Sequence, residues 1–276
     1  MDQFNGYFNN YVSHYCLFER NRKKYCCKYD CLGKNPGNGT LKAATSGTLF
    51  PASYHDSDSN ELTGYDVEVA KEMASRLGLE IEFTEMAFDG MLSSINSGQV
   101  DFAINDITVT DERKEKFGFT DAYKYSVGAA IVRKSDLSGI DSLEDLKGKK
   151  AAGEATTTYM EVARSYGAEE VIYDNATNDQ YLRDVSTGRT DIILNDYYTQ
   201  TLAVSAYGDL DITIHPTIRY NPSSASIILK KENKDMLDAF NQTLKKMKED
   251  GTLTKLSKQF YNGADVSKEI TLEESK

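Results

Sequence analysis

A group of polar residues directly follows one short apolar strand, and their side chains could bind a small charged molecule. The strand contains Val100, Phe102 and Ile104, and the chain after it offers an amide, a carboxylate, a hydroxyl and a guanidinium, on Asn105, Asp106, Thr108 and Arg113. A guanidinium can hold a carboxylate through two parallel charge-assisted hydrogen bonds, while the acceptors can take an ammonium. The segment therefore predicts a site for a small zwitterion. The alternative for Arg113 is a surface arginine within the charged run DERKEK.

A similar pattern recurs later in the chain. The segments SGQVDFAIND at 97–106 and TGRTDIILND at 187–196 both contain a Gly-x-x-Asp turn and an apolar strand that ends in Asn-Asp. Open α/β sheets place their ligands at the carboxyl ends of strands. Two such edges that face each other would form a cleft between two lobes, although Gly-x-x-Asp turns are also common by coincidence.

A run of three threonines, Thr156 to Thr158, lies between a predicted strand and a predicted helix. The free N–H groups and the positive end of a helix N-terminus favour an anion. Thr156 and Thr157 are therefore candidates for a carboxylate site on the second lobe. Helix capping alone would account for one of the three hydroxyls.

Alternating helices and short strands position these residues. In GYDVEVAKEMASRLG, at 64–78, apolar side chains recur at three- and four-residue steps, and Gly78 is a typical stop signal. Asp89 is a candidate cap for the next helix. Helices of this size between short strands imply right-handed crossovers and a largely parallel sheet, so the predicted fold class is α/β.

Composition excludes several classes of function. The 276 residues carry a net charge of −11, which argues against nucleic acid as a partner. No run approaches the ~20 apolar residues of a transmembrane helix. The three histidines (His14, His55 and His215) are far apart, and the sequence has no G-x-G-x-x-G, Walker or G-x-S-x-G motif. We therefore expect no metal and no cofactor.

Residues 1–40 differ from the rest of the sequence. All of the cysteines fall there, at Cys16, Cys26, Cys27 and Cys31, without paired C-x-x-C spacings. The segment also lacks the basic start, apolar stretch and cleavage site of a signal peptide. We expect it to be disordered or non-native, through a mis-assigned start or an out-of-frame translation that replaces a leader ending in cysteine. A disulfide framework is the alternative.

The stretch GYDVEV, followed by Met73-Ala74, closely resembles the signature of the amino-acid-type extracellular solute-binding proteins that serve ABC importers. Other matching pieces are FDGMLSSINSGQVDF, TDERKEKFGFT, SLEDLKGKK, the threonine turn and EDGTLTKLSKQFY, so the resemblance runs from Leu41 to about Val266. The stretches TDIILNDYYTQTL and DLDITIHP resemble the branch that handles cystine and related sulfur-containing amino acids.

This resemblance implies a periplasmic-binding-protein-like type II fold with two α/β lobes, each a mostly parallel sheet flanked by helices. The crossover segments would lie near Tyr123–Val127 and Tyr220–Ala225. The first lobe would then comprise 41–124 plus 225–276, and the second 125–224. The ligand would lie in the cleft between lobes that close by hinge motion.

The resemblance also implies roles for the polar residues. Arg113 would hold the α-carboxylate of the ligand. The Thr108 hydroxyl would also contact the backbone groups of the ligand. Asp196 would pair with the α-ammonium, with an N-cap of the following helix as the alternative. Asn105 and Asp106 end the third strand, where a backbone carbonyl often meets the ammonium, and a direct contact from the Asp106 carboxylate stays open.

Further positions would surround the ligand's side chain. Phe50 and Phe88 map to aromatic walls of that pocket, with core packing as the alternative. Ser46 stands where relatives that bind cationic side chains often carry aspartate. This argues against arginine or lysine as the ligand, unless Asp106 or Glu154 supplies the charge.

We therefore expect the substrate-binding component of an ABC importer rather than an enzyme. It would capture an amino acid, cystine or a related sulfur-containing or polar amino acid, and deliver it to a membrane permease. We expect a monomer that is extracellular or at the cell surface, lipid-anchored if its native leader is a lipoprotein signal, and periplasmic otherwise. The alternatives are an enzyme similar to cyclohexadienyl dehydratase, with Glu154 as the nearest general acid, and a ligand-sensing module.

Overall fold

The computed structural model describes residues 39–173 and 178–273. The predictions for residues 1–38, which include all four cysteines, lie outside the described residues. The strands, numbered in chain order, are β1 (Thr40–Thr45), β2 (Thr48–Leu49), β3 (Ser53–His55), β4 (Leu62–Thr63), β5 (Glu80–Glu85), β6 (Phe102–Ala103), β7 (Phe117–Phe119), β8 (Lys124–Arg133), β9 (Lys150–Gly153), β10 (Glu169–Ile172), β11 (Ile192–Asp196), β12 (Ile212–Ala225) and β13 (Ile228–Lys230).

The helices alternate with these strands. They are α1 (Tyr65–Leu77), α2 (Phe88–Ser97), α3 (Asp111–Lys116), α4 (Thr158–Ser165), α5 (Asn178–Ser186), α6 (Tyr197–Ala206), α7 (Lys234–Glu249) and α8 (Thr252–Phe260). Single 3-10 turns lie at Leu137–Gly139 and Leu143–Leu146.

Two five-stranded sheets form the centres of two lobes. The first has the strand order β5-β1-β6-β13-β7, and the second has the order β10-β9-β11-β8-β12. Within the β–α units the neighbouring strands pair in parallel, as predicted. The strands β8, β12 and β13, which carry the chain between the sheets, pair antiparallel with their neighbours. The described residues thus form an α/β fold of two lobes, and a small sheet of β2, β3 and β4 lies beside the first.

Local signals set the limits of helix α1. Gly64 precedes it with φ 127°, and a Cβ there would lie 2.3 Å from the Ala52 carbonyl oxygen, so only glycine fits. Gly78 ends it in the left-handed conformation, at φ 71°, as the stop signal predicted. Between them the apolar face, including Val67, Ala70 and Met73, is fully buried. The apolar periodicity and the glycines at both ends therefore indicate the same helix that the structure shows.

The two lobes are joined where β8 and β12 lie side by side. Lys124 pairs with Ala225 at one end of this ladder and Arg133 pairs with Ile212 at the other. The chain leaves the first sheet after β7 and returns to it in β13. Lobe boundaries at 41–124 plus 225–276 and at 125–224 stay our proposal for the domain division.

One predicted capping residue is wrong. Helix α2 begins at Phe88 and its N-cap is Ala87, without a side-chain cap. Asp89 therefore lies inside the first turn, where its carboxylate still suits the positive helix end. Its Oδ1 instead accepts a hydrogen bond from the Thr156 hydroxyl of the other lobe. Among the described residues, no helix is long and apolar enough to cross a membrane.

Candidate functional site

A cavity of about 110 Å³ lies between the carboxyl ends of the two sheets. Residues of both lobes line it: Ser46, Thr48, Leu49, Phe88, Asn105, Asp106, Thr108 and Arg113 from the first, and Ile131, Ala152, Gly153, Glu154, Thr157, Thr158, Tyr159, Tyr181, Leu182, Ile193, Leu194, Asn195, Thr199, Gln200 and Ala203 from the second. Both Asn-Asp strand ends of the repeated pattern reach this place, since Asn105 and Asn195 both line the cavity.

Most of the predicted site residues are among the lining residues. These are Ser46, Phe88, Asn105, Asp106, Thr108, Arg113 and Thr157. Phe50, Thr156 and Asp196 are not, although each lies next to residues that are. Glu154, the acid of the enzyme alternative, also lines the cavity.

The Arg113 guanidinium spans the opening between the lobes. It donates to the Thr108 carbonyl of its own lobe and to the Thr156 carbonyl of the other, both at 2.9 Å. Its central carbon lies 5.3 Å from the centre of the Phe88 ring, within the range of a cation–π contact. Burial lowers the pKa of Arg113, partly offset by Glu161 and Glu112, and the group stays charged because an arginine pKa is far above neutrality.

Among the described residues, no acidic side chain forms an ion pair with this guanidinium. Among residues 39–173 and 178–273, no carboxylate oxygen lies within 4.0 Å of an Arg113 nitrogen. A buried cation whose partners are only carbonyl oxygens is costly unless an anion joins it. The surroundings of Arg113 therefore suit a ligand carboxylate.

The Asn105 side chain forms hydrogen bonds within the protein. Its Oδ1 accepts from the Ser46 backbone N–H at 2.9 Å and from the Thr45 hydroxyl at 3.2 Å. Ser46 is itself buried. The amide thus fixes the loop after β1, which forms one wall of the cavity.

Asp106 has a strained but well-supported backbone. Its φ is 52°, in the left-handed region that aspartate tolerates better than most residues. Its N–H donates to the Asp66 carboxylate at 2.5 Å, and its own carboxylate accepts from Lys124 Nζ at 2.6 Å. Burial raises the pKa of Asp106, and Lys124 opposes that shift.

Lys124, which the sequence analysis did not single out, forms an ion cluster behind the cavity. Its side chain is only 1% exposed, and its Nζ lies 2.6 Å from Asp106 and 3.0 Å from Asp196. Because these acids end strand regions of different lobes, the ammonium joins both lobes at the hinge. The one available signal was a lysine between Tyr123 and Tyr125, at the start of a strand that is otherwise mostly buried.

Asp196 is the N-cap of helix α6, which was the alternative to its predicted role. Its Oδ1 accepts from the Thr199 backbone N–H at 2.7 Å, and its Oδ2 faces Lys124. Both carboxylate oxygens thus have partners in the protein. The predicted contact with a ligand ammonium stays a prediction.

The threonine run begins helix α4. Thr157 is its N-cap, accepting from the Met160 N–H at 3.2 Å and donating to the Glu154 carbonyl at 3.0 Å. Thr156 connects the lobes twice, through its carbonyl to Arg113 and through its hydroxyl to Asp89. Capping therefore occupies one hydroxyl of the run, and a contact between lobes occupies another.

The two phenylalanines have different surroundings. Phe88 is buried, and its ring faces Arg113 at the cavity wall. Phe50 instead packs edge-on against Tyr54, with ring centres 4.9 Å apart. Leu49 lies on the wall in its place. Phe50 lies in the turn between β2 and β3 and is not among the residues that line the cavity.

The structure shows no metal centre in the part of the chain that it describes, where no group of His, Cys, Asp and Glu side chains has the arrangement of a metal site. His55 contacts Glu85 at 2.8 Å, and His215 contacts the Ile140 carbonyl at 3.0 Å.

Comparison with known proteins decides the family. The model of bacterial extracellular solute-binding proteins, family 3, matches residues 41–263. The chain belongs to this family. It is therefore a solute-binding protein rather than an enzyme, and the resemblance found in the sequence is confirmed.

Several relatives cover nearly the same length. The probable ABC transporter extracellular-binding protein YckB of Bacillus subtilis is 61% identical over 254 residues, 87% of this chain and 88% of YckB. The crystal structure of YckB matches with a TM-score of 0.68 over 84% of this chain and 93% of that one, at 65% identity. The L-cystine-binding protein TcyA of Bacillus subtilis is 38% identical, covering 83% and 84%. An ancestral arginine-binding protein bound to glutamine matches with a TM-score of 0.75, 30% identity and coverage of 82% and 99%.

We predict that Lys124→Met strongly destabilises this solute-binding protein. The change leaves Asp106 and Asp196 buried without their cation, and breaking a buried ion pair costs about 3–5 kcal/mol. Urea unfolding followed by circular dichroism measures the loss. Lys255→Met, at an exposed position of α8, is the control and should change the free energy of unfolding by less than about 0.5 kcal/mol. Equal stability of the two variants would contradict the importance of the ion cluster.

We also predict a pH dependence that originates at Asp66. Burial, together with the charge of Asp106, raises the pKa of Asp66 to about 7. The native state therefore keeps a proton that the unfolded chain releases, and this contribution to stability is complete at acidic pH and is lost as pH rises toward 7.

Asp66→Asn, which stays neutral, should accordingly gain stability relative to the wild type as pH rises from about 4 to 7. The gain should amount to a few kcal/mol, since each pKa unit between the native and the unfolded state corresponds to ~1.36 kcal/mol. Urea unfolding at several pH values tests this, with Asp58→Asn in an exposed turn as the control. A constant difference between Asp66→Asn and the wild type would refute the prediction.

Proposed function

We propose that this solute-binding protein captures an amino acid outside the cell and delivers it to an ABC permease. Within that class we propose cystine or a related sulfur-containing or polar amino acid. Support comes from the name of the relative TcyA, an L-cystine-binding protein, at 38% identity, and from the cavity between the lobes. The observation that carries the proposal is the buried Arg113 guanidinium, which has carbonyl partners from both lobes.

The ligand's α-carboxylate would bind Arg113. A planar guanidinium can form two parallel charge-assisted hydrogen bonds to a carboxylate, and such bonds are about twice as strong as neutral ones. Thr108 and Thr157 lie on opposite walls of the same cavity and would add hydroxyl contacts. Thr156 would act through its contact with Arg113.

The α-ammonium would meet the acidic side of the cleft. Asp106 lines the cavity, whereas the oxygens of Asp196 already face Lys124 and the start of α6. We therefore assign the direct contact to Asp106 and place Asp196 behind it in the same ion cluster. Asn105 and Ser46 keep the neighbouring loop in position.

The ligand would also couple the two lobes. Arg113 and Thr156 already connect them across the opening, and a carboxylate at Arg113 would add contacts available only in the closed arrangement. A ligand shifts a conformational equilibrium only through its differential affinity for the two states. Closure of this kind would let the permease distinguish loaded from empty protein. A lipid anchor at the cell surface is part of this proposal.

A thermal-shift panel tests the ligand class. Sulfur-containing amino acids, including L-cystine, should raise the melting temperature more than L-arginine or L-lysine does, because Ser46 supplies no acid for a cationic side chain. A ligand at a hundredfold excess over its Kd adds ~2.7 kcal/mol, or about 5–10 °C for a chain of this size. A larger shift from arginine or lysine would contradict the proposed class, and no shift from any amino acid would contradict the function itself.

We predict that Arg113→Ala abolishes the ligand-induced shift. Hydrogen bonds to charged groups contribute about 1.5–3 kcal/mol each, so the loss of two weakens binding by at least a hundredfold. Isothermal titration calorimetry of the folded variant measures the affinity directly. Arg164→Ala, which removes an exposed arginine paired with Glu170, is the matched control. Retained affinity in Arg113→Ala would show that the carboxylate binds elsewhere.

A further inference from the structure

Part of the cavity lining comes from the buried interior of the second lobe. These residues are Ile131, Ala152, Leu182, Ile193, Gln200 and Ala203. We call this part the lateral branch. Its residues come from the strands β8, β9 and β11 and from the helices α5 and α6.

The lateral branch is almost wholly apolar. Five of its six residues belong to one buried hydrophobic cluster of the second lobe, and each is at most 7% exposed. Contact with such walls favours an apolar group, at roughly 25 cal/mol per Å² of buried surface. Apolar walls around a continuous cavity therefore suit the body of a ligand side chain.

One polar group in the branch has an unused acceptor. The Gln200 side chain is 2% exposed, and its Nε2 donates to the Ile193 carbonyl at 2.9 Å. This bond fixes the orientation of the amide. The other end, Oε1, is buried without a hydrogen-bond donor among the described residues, as is the hydroxyl oxygen of the adjacent lining residue Thr199. A buried acceptor without a partner is unfavourable, so this site suits a donor supplied by the ligand.

The donor that fits is uncharged. None of the six residues that define the lateral branch has an ionisable side chain, and the acids that line the cavity, Asp106 and Glu154, are not among them. An ammonium or guanidinium placed there would lose its hydration without gaining a counter-ion. A hydroxyl or amide group would lose much less and would satisfy Gln200.

We propose that the lateral branch binds the far end of the ligand's side chain and selects amino acids with an apolar chain that ends in a neutral O–H or N–H donor. Gln200 Oε1 accepts that donor, and Ala203 limits the depth of the branch. This inference rests on the proposed function, because it requires an amino acid held at Arg113. Among sulfur-containing amino acids it favours those with an uncharged far end over cystine, whose second half carries both an ammonium and a carboxylate.

Two matched ligand sets test this selection. The first comprises 2-aminoheptanoic acid, 6-hydroxynorleucine and lysine. The second comprises the mixed disulfides of L-cysteine with propanethiol, 2-mercaptoethanol and cysteamine. Within each set the side chains are of equal length and end in methyl, hydroxyl and ammonium. We expect the hydroxyl member to bind about fivefold to tenfold more tightly than the methyl member, as one net hydrogen bond predicts, and the ammonium member to bind most weakly.

Two variants assign the effect to the branch. Gln200→Leu should remove the advantage of the hydroxyl member while the methyl member keeps its affinity. Ala203→Leu should weaken both long ligands at least tenfold but leave L-alanine unaffected, because it fills only the branch. Thr201→Leu, at an exposed position of the same helix, is the control for folding and should bind like the wild type.

The outcomes separate this inference from the proposed function. L-alanine or L-cystine could bind while the hydroxyl member has the highest affinity in neither ligand set. That result would refute the selection by the lateral branch and leave the proposed amino-acid function intact. An unchanged preference in Gln200→Leu would refute it as well. If no amino acid binds the wild type, the proposed function fails first.

Discussion

The ammonium of Lys124 is the point on which the arrangement of the two lobes depends. It is buried, and it is paired with Asp106 from one lobe and Asp196 from the other. Removing such a charge from water is expensive, and only close pairing with well-placed carboxylates compensates for it. The two strand ends must therefore meet at the hinge, and the backbone around them is built to hold this geometry.

The supporting contacts around the cluster are consistent with that requirement. Asp106 adopts a positive φ and donates its N–H to Asp66. This fixed backbone conformation orients the Asp106 carboxylate toward Lys124. Asp196 is fixed from the other side because it caps α6. The Tyr65 hydroxyl donates to the Tyr123 carbonyl at 2.8 Å, which connects helix α1 to the residue before Lys124.

The two buried cations of the site have different functions because their partners differ. Lys124 is balanced within the protein, whereas the hydrogen bonds that Arg113 donates to described residues go to carbonyl oxygens. A cation already paired with two carboxylates has little to gain from a ligand anion, while one bound to neutral dipoles still attracts it. The structure thereby separates the residue that joins the lobes from the residue available to a ligand carboxylate.

Much of the fold could be predicted because its signals are local. The helix at 65–77 follows from its apolar period and from Gly78, and both depend on residues within a few turns of each other. The repeated Asn-Asp strand ends indicated a common cleft, and the structure brings both to one cavity. The contacts of Asp89 and Phe50 were harder to predict from the sequence. Asp89 contacts Thr156 of the other lobe, and Phe50 packs against Tyr54 from a turn between two short strands that carry no clear period.

By itself, the sequence determined the class of fold, the family and seven of the residues that line the cleft. These depend on periodicity, on turn residues and on motifs that lie together along the chain. The partners of Asp196, the ion cluster at Lys124 and the apolar branch beside Gln200 were decided only by the tertiary structure. Each depends on distances between residues far apart in the chain. A buried charge or an unpaired acceptor affects the free energy strongly only once the folded chain has excluded water around it.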